Sequence, residues 1–353
     1  MTKDTAGVVS RAGSASFDVR VVRADCILPE QGRGMGDCGL AFWVSRAGQR
    51  YGEVALAAQS FVVRVSRGGD AATLAYLKRP VAPGIVLASA YPYGAVIGDR
   101  ELFWDKLESV RAALKKSGVG RLEIALAGRH LEQMRGPGLS RRLDEGRVGL
   151  VRETRHVLDL SDLVRKDDVL DGYPSKLRWA VRKASKCGVS VRKGGGGDVA
   201  LAQGLYERTM KEKGAPTYYD DARLSYIAGP LAEQGWGALF VAEQQGIAVG
   251  MAAAVDSGTT RHVVQIAVPR VYRGGRVSEL LVHEMIKDAL GSNVQTLDFM
   301  ATTPGDEGVS AFKQKWGAQE SPVCYLVIDT KPVVSRIIAL GRKISRLRAR
   351  SKS

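Results

Sequence analysis

The chain has 353 residues, 45% of them hydrophobic and 25% charged, which is the balance of a folded soluble protein and excludes a disordered one. Its length predicts two domains of roughly 150 residues each. No run of 18 apolar residues occurs, and the start MTKDTAGVVSRAGSASFD lacks the apolar core of a signal peptide, so a cytoplasmic protein is expected. The net charge of +15 is segregated: Ser175 to Lys193 carries seven Lys/Arg and no acid, and Lys331 to Ser353 carries eight and no acid. The remaining 37 Lys/Arg balance the 37 Asp/Glu, so each basic segment is expected to face something anionic, against the plainer reading of two solvated surfaces.

After a loose tail to about Ala15, FDVRVVRA reads as a strand and the glycine-rich Gln31–Gly39 as a loop. No helix-opening pattern follows that loop, so it is not a dinucleotide fingerprint. SFVVRVSRGG and ATLAYLKRP predict a hairpin turning at Gly68-Gly69. GIVLASAYPYGAVIGD predicts a buried strand breaking into an aromatic loop. Asp99 can cap a helix from Arg100 to Ser117 whose Phe103, Leu107, Val110 and Leu114 share a face, and RLEIALAG returns as a strand.

The charged, glycine-rich stretch from Gly128 to Asp162 is the expected domain boundary. Beyond it Pro174 and Gly188 bracket a basic helix, VSVRK is a strand, and Asp198 can cap a helix carrying Leu201, Leu205 and Met210. A second helix starts near Asp221. Strands ALFVAEQ and IAVGMAAAV meet at Gln245-Gly246, and RHVVQIAV follows. A helix (Val277 to Leu290), a strand (QTLDFM), the short helix of GDEGVSAFKQKWGAQ and a strand (PVCYLVID) complete the chain. This order predicts an α/β architecture around a mixed sheet, with a shorter and blurrier version of it in the first half.

Three stretches together resemble the Fem-type aminoacyltransferases and the wider Fem/CelD-like acyltransferases: YPSKLRWAVRKASKCGVSVRK, LFVAEQQGIAVGMAAAV and DFMATTPGDEGVSAFKQKWGA. The likeness covers about Asp159 to Asp329, and SAYPYGAVIGD extends it weakly into the first half. The resemblance implies tandem GNAT-like domains, the first degenerate: a loose terminus (1–15), an N-terminal domain (16–155), a catalytic C-terminal domain (156–330) and a basic tail helix (331–353). It also implies acyl-CoA or aminoacyl-tRNA as donor substrate, with no permanently bound cofactor. One departure bears on the donor. VYRGGRVSELL keeps Arg273, Gly274, Gly275 and Arg276, but Ser278 stands where a phosphate-cradling loop has a late glycine, and the spacing is one residue short. The loop leaves the donor open, with a slight tilt away from acetyl-CoA.

Acyl transfer to an amine requires positioning and charge stabilisation more than covalent chemistry from the protein. The resemblance points to Lys313 as the central residue, with Phe312 shaping its pocket; a solvated lysine on an amphipathic helix is the plain alternative. Trp316, on the same helix, is a further substrate-contact candidate. Asp298 and Glu243 are strand acids that can remove a proton or be structural. Arg178, Arg182, Lys183 and Lys186 fall at helical spacing and form a cationic face for phosphates, as do Arg273 and Arg276. Tyr91 and Tyr93 can stack on an acceptor between the domains or anchor their loop. The four histidines are scattered and HEMIK lacks a second ligand, so no metal site is expected, and the four separated cysteines are expected to be reduced and mostly buried.

In the tail, Val333, Ile337, Leu340, Ile344 and Leu347 form one apolar stripe among arginines and lysines, suited to an anionic inner leaflet, to the protein's own surface or to RNA. The reading that joins these observations is an acyl- or aminoacyltransferase acting on an amino group of a lipid- or nucleotide-linked peptidoglycan or polysaccharide precursor, with tRNA a possible partner. Its rival is a non-catalytic GNAT-like scaffold that binds nucleic acid or membrane.

Overall fold

The computed structural model describes residues 17–24, 42–90, 92–127, 136–164, 168–217, 219–302, 305–331, 333–334 and 336–337. The first half contains β1 (Phe17–Arg23), α1 (Arg46–Leu56), β2 (Gln59–Arg67), β3 (Asp70–Ala82), β4 (Ile85–Ala90), β5 (Val96–Gly98), α2 (Arg100–Asp105), α3 (Leu107–Lys116), β6 (Arg121–Ala127), α4 (Pro137–Asp144) and β7 (Gly149–Asp159). The second contains α5 (Ser175–Lys186), β8 (Val189–Gly194), α6 (Val199–Glu212), α7 (Asp221–Tyr226), β9 (Gly237–Gln244), β10 (Ile247–Ser257), β11 (Thr260–Ala267), α8 (Val277–Gly291), β12 (Thr296–Ala301), α9 (Glu307–Gln314) and β13 (Gln319–Asp329).

Among the described residues, thirteen strands join one mixed sheet in the order β1-β2-β3-β4-β6-β13-β7-β12-β11-β10-β9-β8, with β5 beside β3. Every pairing is antiparallel except β4–β6 and β11–β12, which each close a strand–helix–strand crossover. The two halves therefore repeat one plan, as the element order predicts. They also exchange their final strands. β13 lies between β6 and β7, and β7 pairs with β12 of the second half. The expected boundary at 155/156 consequently falls inside β7, the strand that stitches the halves together.

Local chemistry accounts for most elements. Gln245 and Gly246 both take positive φ (53° and 75°), as a two-residue hairpin between right-twisted strands requires. Pro174 precedes α5 and Gly188 follows it at φ 74°.

Other expectations need correction. The helix foreseen over Arg100–Ser117 is broken at Lys106 into α2 and α3, which keeps Phe103, Leu107, Val110 and Leu114 in the core. On α6 the buried face is Val199, Ala202, Tyr206 and Thr209, while Leu201 is 42% exposed. That face packs on β10 and β11 and against α7, in a core that also holds Phe42, Trp43 and Tyr51 from the first half. α1, a helix the sequence pattern did not reveal, packs against α7 at the edge of this core. Cys324 is buried and Cys187 exposed. The loop 31–39, Tyr91 and most of the tail stripe lie outside the described residues. Of that stripe Val333 and Ile337 are exposed, and Val334 is buried instead. Among the described residues no helix is long and apolar enough to cross a membrane.

Candidate active site

The parallel pairing of β11 with β12 lasts three residues, from Thr260–Thr296 to His262–Asp298. Beyond it the strands part. Met300 adopts φ 63°, costly for a residue with a Cβ, and β12 slips register against β7 between Asp298 and Ala301. On the other wall β11 carries a bulge at Val264, the residue skipped in its pairing with β10. The resulting wedge is a cleft of about 600 Å³ walled by Val263–Ile266 and Phe299–Ala301 and covered by Phe312 and Lys313 of α9, with Arg273 and Ser278 at the start of α8. That volume lies within the range of roughly 300–1,000 Å³ usual for small-molecule sites.

Asp298 pins the point of divergence. It is fully buried, and all its partners are donors: Arg155 Nη1 at 2.7 Å, Tyr93 OH at 2.9 Å, the Met300 N–H at 2.8 Å, and His262 Nδ1 at 3.3 Å. The His262 tautomer is fixed because its Nε2 accepts from the Trp43 indole N–H at 3.1 Å, leaving the proton on Nδ1. Burial opposes the Asp298 charge, but the Nδ1–H of His262, the Arg155 guanidinium and the Met300 amide hold its pKa well below the usual carboxylate range. Such a carboxylate does not take up a proton near neutral pH, so the reading of Asp298 as a base is corrected to that of an anchor. The same network, drawn from β7, β11, β12 and two segments of the first half, fastens the halves around the wedge.

Lys313 is 6% exposed, not the solvated residue of the plain reading. Asp306 caps α9 by accepting from Val309 N–H, and the helix then aims Lys313 back at the diverging strand. Its Nζ donates to the carbonyls of Met300 (2.9 Å) and Ala301 (3.3 Å) and to Thr302 Oγ1 (2.8 Å). Burial pushes its pKa down to about 8 against the pull of Asp298 and Asp306. Thr302 and Ser310 both reach the buried His156, whose pKa is lowered by burial and by the Lys313 charge. The result is a mostly cationic group at neutral pH whose proton is labile a unit higher.

A second cleft, of about 530 Å³, opens between the halves. Arg79, Tyr93 and Glu123 line it from one side, Tyr219 and Arg223 from the other. It shares Val264, Met300 and Ala301 with the first cleft, so the two meet at the bulge and the strained turn. Arg223 is fully buried at this seam, donating to Tyr51 OH, Val264 O and Gln265 Oε1 with its guanidinium 3.8 Å above the Tyr219 ring. Neither Arg223 nor Gln265 was visible from sequence, since an arginine on a short helix and a glutamine in a strand carry no pattern.

The structure thus gathers Lys313, Phe312 and Arg273 around one cleft and places Tyr93 beside the second, with its hydroxyl tied to Asp298. Arg178, Arg182, Lys183 and Lys186 line a separate cavity along α5, and Arg276 a neighbouring one. Trp316 is a correction: it is buried in the second-half core, edge-on to Tyr173 at 5.4 Å, and lines neither cleft. Glu243 pairs with Arg192 at 2.9 Å on the sheet surface, away from the wedge.

Residues 175–314 match the family model described as "Acetyltransferase (GNAT) domain". Among solved structures the chain is similar to FemX, with TM-score 0.61, 16% identity, and coverage of 83% of this chain and 93% of that one. It is also similar to a tandem GNAT protein from the clavulanic acid biosynthesis pathway (TM-score 0.53, 13% identity, 90% and 99% covered). A third is L-PGS from Bacillus licheniformis (TM-score 0.52, 9% identity, 91% and 99% covered). No curated protein matched the sequence. The fold is that of a tandem GNAT protein, as in FemX. Its second half carries the acyltransferase domain, and the wedge lies within that domain.

Proposed function

We propose that this acyltransferase moves an acyl or aminoacyl group onto an amino group of a cell-envelope precursor, with the donor in the wedge and the acceptor in the cleft between the halves. The observation that carries this reading is the meeting of two clefts at Val264, Met300 and Ala301, beside a buried lysine, which is the geometry a two-substrate transfer needs. The neutral amine attacks the donor carbonyl and a C–N bond forms. The C–S bond of a thioester or the C–O bond of an ester breaks, and the amine's proton ends on the leaving sulfur or oxygen. Lys313, as an ammonium, turns one of its N–H bonds from a strand carbonyl toward the oxyanion as charge develops there. Tyr93 and Arg223 border the acceptor side, and Arg273 meets donor phosphates.

The envelope assignment rests on the resemblance to Fem-type enzymes and on the likeness to FemX and L-PGS. The exposed Val333 and Ile337 fit a tail that meets an anionic inner leaflet. The test is transfer by the purified protein, with acetyl-CoA, longer acyl-CoAs and charged tRNA as donors. The acceptors are nucleotide-linked and lipid-linked precursors bearing a free amine. Turnover with one donor, lost in Lys313→Met, is the expected result. Binding of nucleic acid or vesicles with no turnover from any donor would favour the scaffold instead.

A further inference from the structure

Trp179 is 54% exposed on α5, an unusual place for the largest apolar side chain. It is not bare. The Arg276 guanidinium lies 5.4 Å and the Lys183 Nζ 5.1 Å from the centroid of its ring system. A cavity of about 460 Å³ lined by Lys176, Leu177, Arg276, Glu279 and Lys315 adjoins the indole, and a second of about 450 Å³ lined by Arg178, Arg182, Lys183 and Lys186 adjoins it too. Among the described residues Glu279 is the one acid in either cavity. Its Oε1 is held by Lys315 at 2.8 Å and approached by Arg276 Nη1 at 3.6 Å. Arg276 Nε is buried and has no hydrogen-bond partner among the described residues. A flat aromatic between two cation-lined recesses is complementary to a base with phosphates on both sides.

The place of this patch says which nucleotide it serves. Arg276 and Glu279 bound it at the first turn of α8, while Arg273 and Ser278, on either side of Arg276 in the chain, line the wedge. α9 makes the same bridge, with Phe312 and Lys313 in the wedge and Lys315 at the patch, its Nζ 4.4 Å from the Phe312 ring centroid. A molecule seated on Trp179 is therefore directed over the start of α8 into the wedge.

We propose that Trp179, with Arg276 and Lys183, is the stacking platform for the nucleotide end of the acyl donor. This rests on the wedge being the donor site. The chemistry recognised is a base and its phosphates, which the nucleotide of coenzyme A and the single-stranded 3′ end of a tRNA both offer. The basic tail is an unsuitable occupant because its charge has the same sign as the patch.

The test uses the full chain and tryptophan fluorescence, titrated with coenzyme A, with a short single-stranded RNA ending in CCA and with anionic phospholipid vesicles. Of the five tryptophans Trp43, Trp104 and Trp316 are buried and Trp236 is half-buried, so the quenching that belongs to Trp179 is the part that disappears in Trp179→Leu. Quenching by coenzyme A or by the RNA is expected, and the effective probe identifies the donor class. Isothermal titration calorimetry, which does not use the indole as reporter, should show affinity reduced roughly ten-fold or more in Trp179→Leu. Unchanged affinity in Trp179→Leu, binding of vesicles alone, or no binding of either nucleotide probe would overturn the proposal. A transfer assay on the same variant separates the two readings. Transfer with nucleotide binding indifferent to Trp179 removes the platform and leaves the acyltransferase, whereas Trp179-dependent binding without transfer does the reverse.

Discussion

Asp298→Asn changes one oxygen for one nitrogen at the most enclosed polar position of the wedge. Arg155, Tyr93, His262 Nδ1 and the Met300 amide all present hydrogens to this side chain, and a carboxylate is the group that accepts from all four. An asparagine amide turns two hydrogens of its own toward those donors and leaves Arg155, largely enclosed, without its counter-charge. Breaking a buried pair from one side costs about 3–5 kcal/mol, a large part of the total for a protein of ordinary stability. Equilibrium urea denaturation followed by tryptophan fluorescence reads the loss. Because the folded pKa of Asp298 lies below its unfolded value of about 3.9, its stabilisation is fully present above that value. It is lost as pH falls through the lower folded pKa. The wild-type protein should therefore lose stability on acidification more steeply than the variant. A cost below about 1 kcal/mol, or an acid limb equally steep in both, would refute the anchor role. Abolished transfer at undiminished stability would return Asp298 to the role of proton acceptor.

Three further outcomes are expected. Lys313→Met, close in volume but uncharged, should lower transfer at least ~100-fold, as loss of one oxyanion donor does, while circular dichroism stays that of the folded protein. With a Lys313 pKa of about 8, transfer that needs the ammonium should decline as pH rises through that value, and the limb should be absent from the residual rate of Lys313→Met. Gly250→Ala places a Cβ 2.9 Å from Val277 Cγ1 and 3.0 Å from Val268 Cγ2, which forces α8 off β10. It should cost about 1–3 kcal/mol by thermal denaturation and weaken donor binding, because Arg273 and Ser278 move with that helix turn.

The second half was legible because its signals are local. The Gln245-Gly246 turn, the Pro174 and Gly188 brackets and the 3.6-residue rhythm of Val277–Leu290 each act within a few residues, and neighbouring backbone chemistry decides them. α6 shows the limit of such reading. A stripe of Leu201, Leu205 and Met210 is the more apolar one, but the face that meets β10, β11 and α7 is Val199, Ala202, Tyr206 and Thr209. α1 itself escaped notice because its buried face is mostly alanine and glycine (Ala47, Gly48, Gly52 and Ala55) with Gln49 and a single aromatic, Tyr51, and so carries little hydrophobic signal. At Gly48 an added Cβ would lie 2.1 Å from Phe42 O, so close approach, not hydrophobicity, selects the residue.

The residue types at the site were visible sooner than their roles. DFMATTPGDEGVSAFKQKWGA supplied Lys313 and Phe312 through resemblance, but Trp316 four residues past Phe312 turns into the core because Gly317 (φ 84°) ends the helix and brings Ala318 in beside it. By itself the sequence determined the order of strands and helices, the segregation of positive charge into α5 and the tail, and the amphipathic faces that make a mixed α/β sheet. Those properties follow from interactions along the chain. The exchange of β7 and β13 between the halves, the parting of β11 from β12, and the environments that keep Asp298 charged and Lys313 partly willing to lose its proton were decided in the folded state alone. They depend on strand pairings and charge contacts between residues more than a hundred positions apart, Arg155 with Asp298 and Trp43 with His262 among them, whose energies arise only once the chain has excluded water around them.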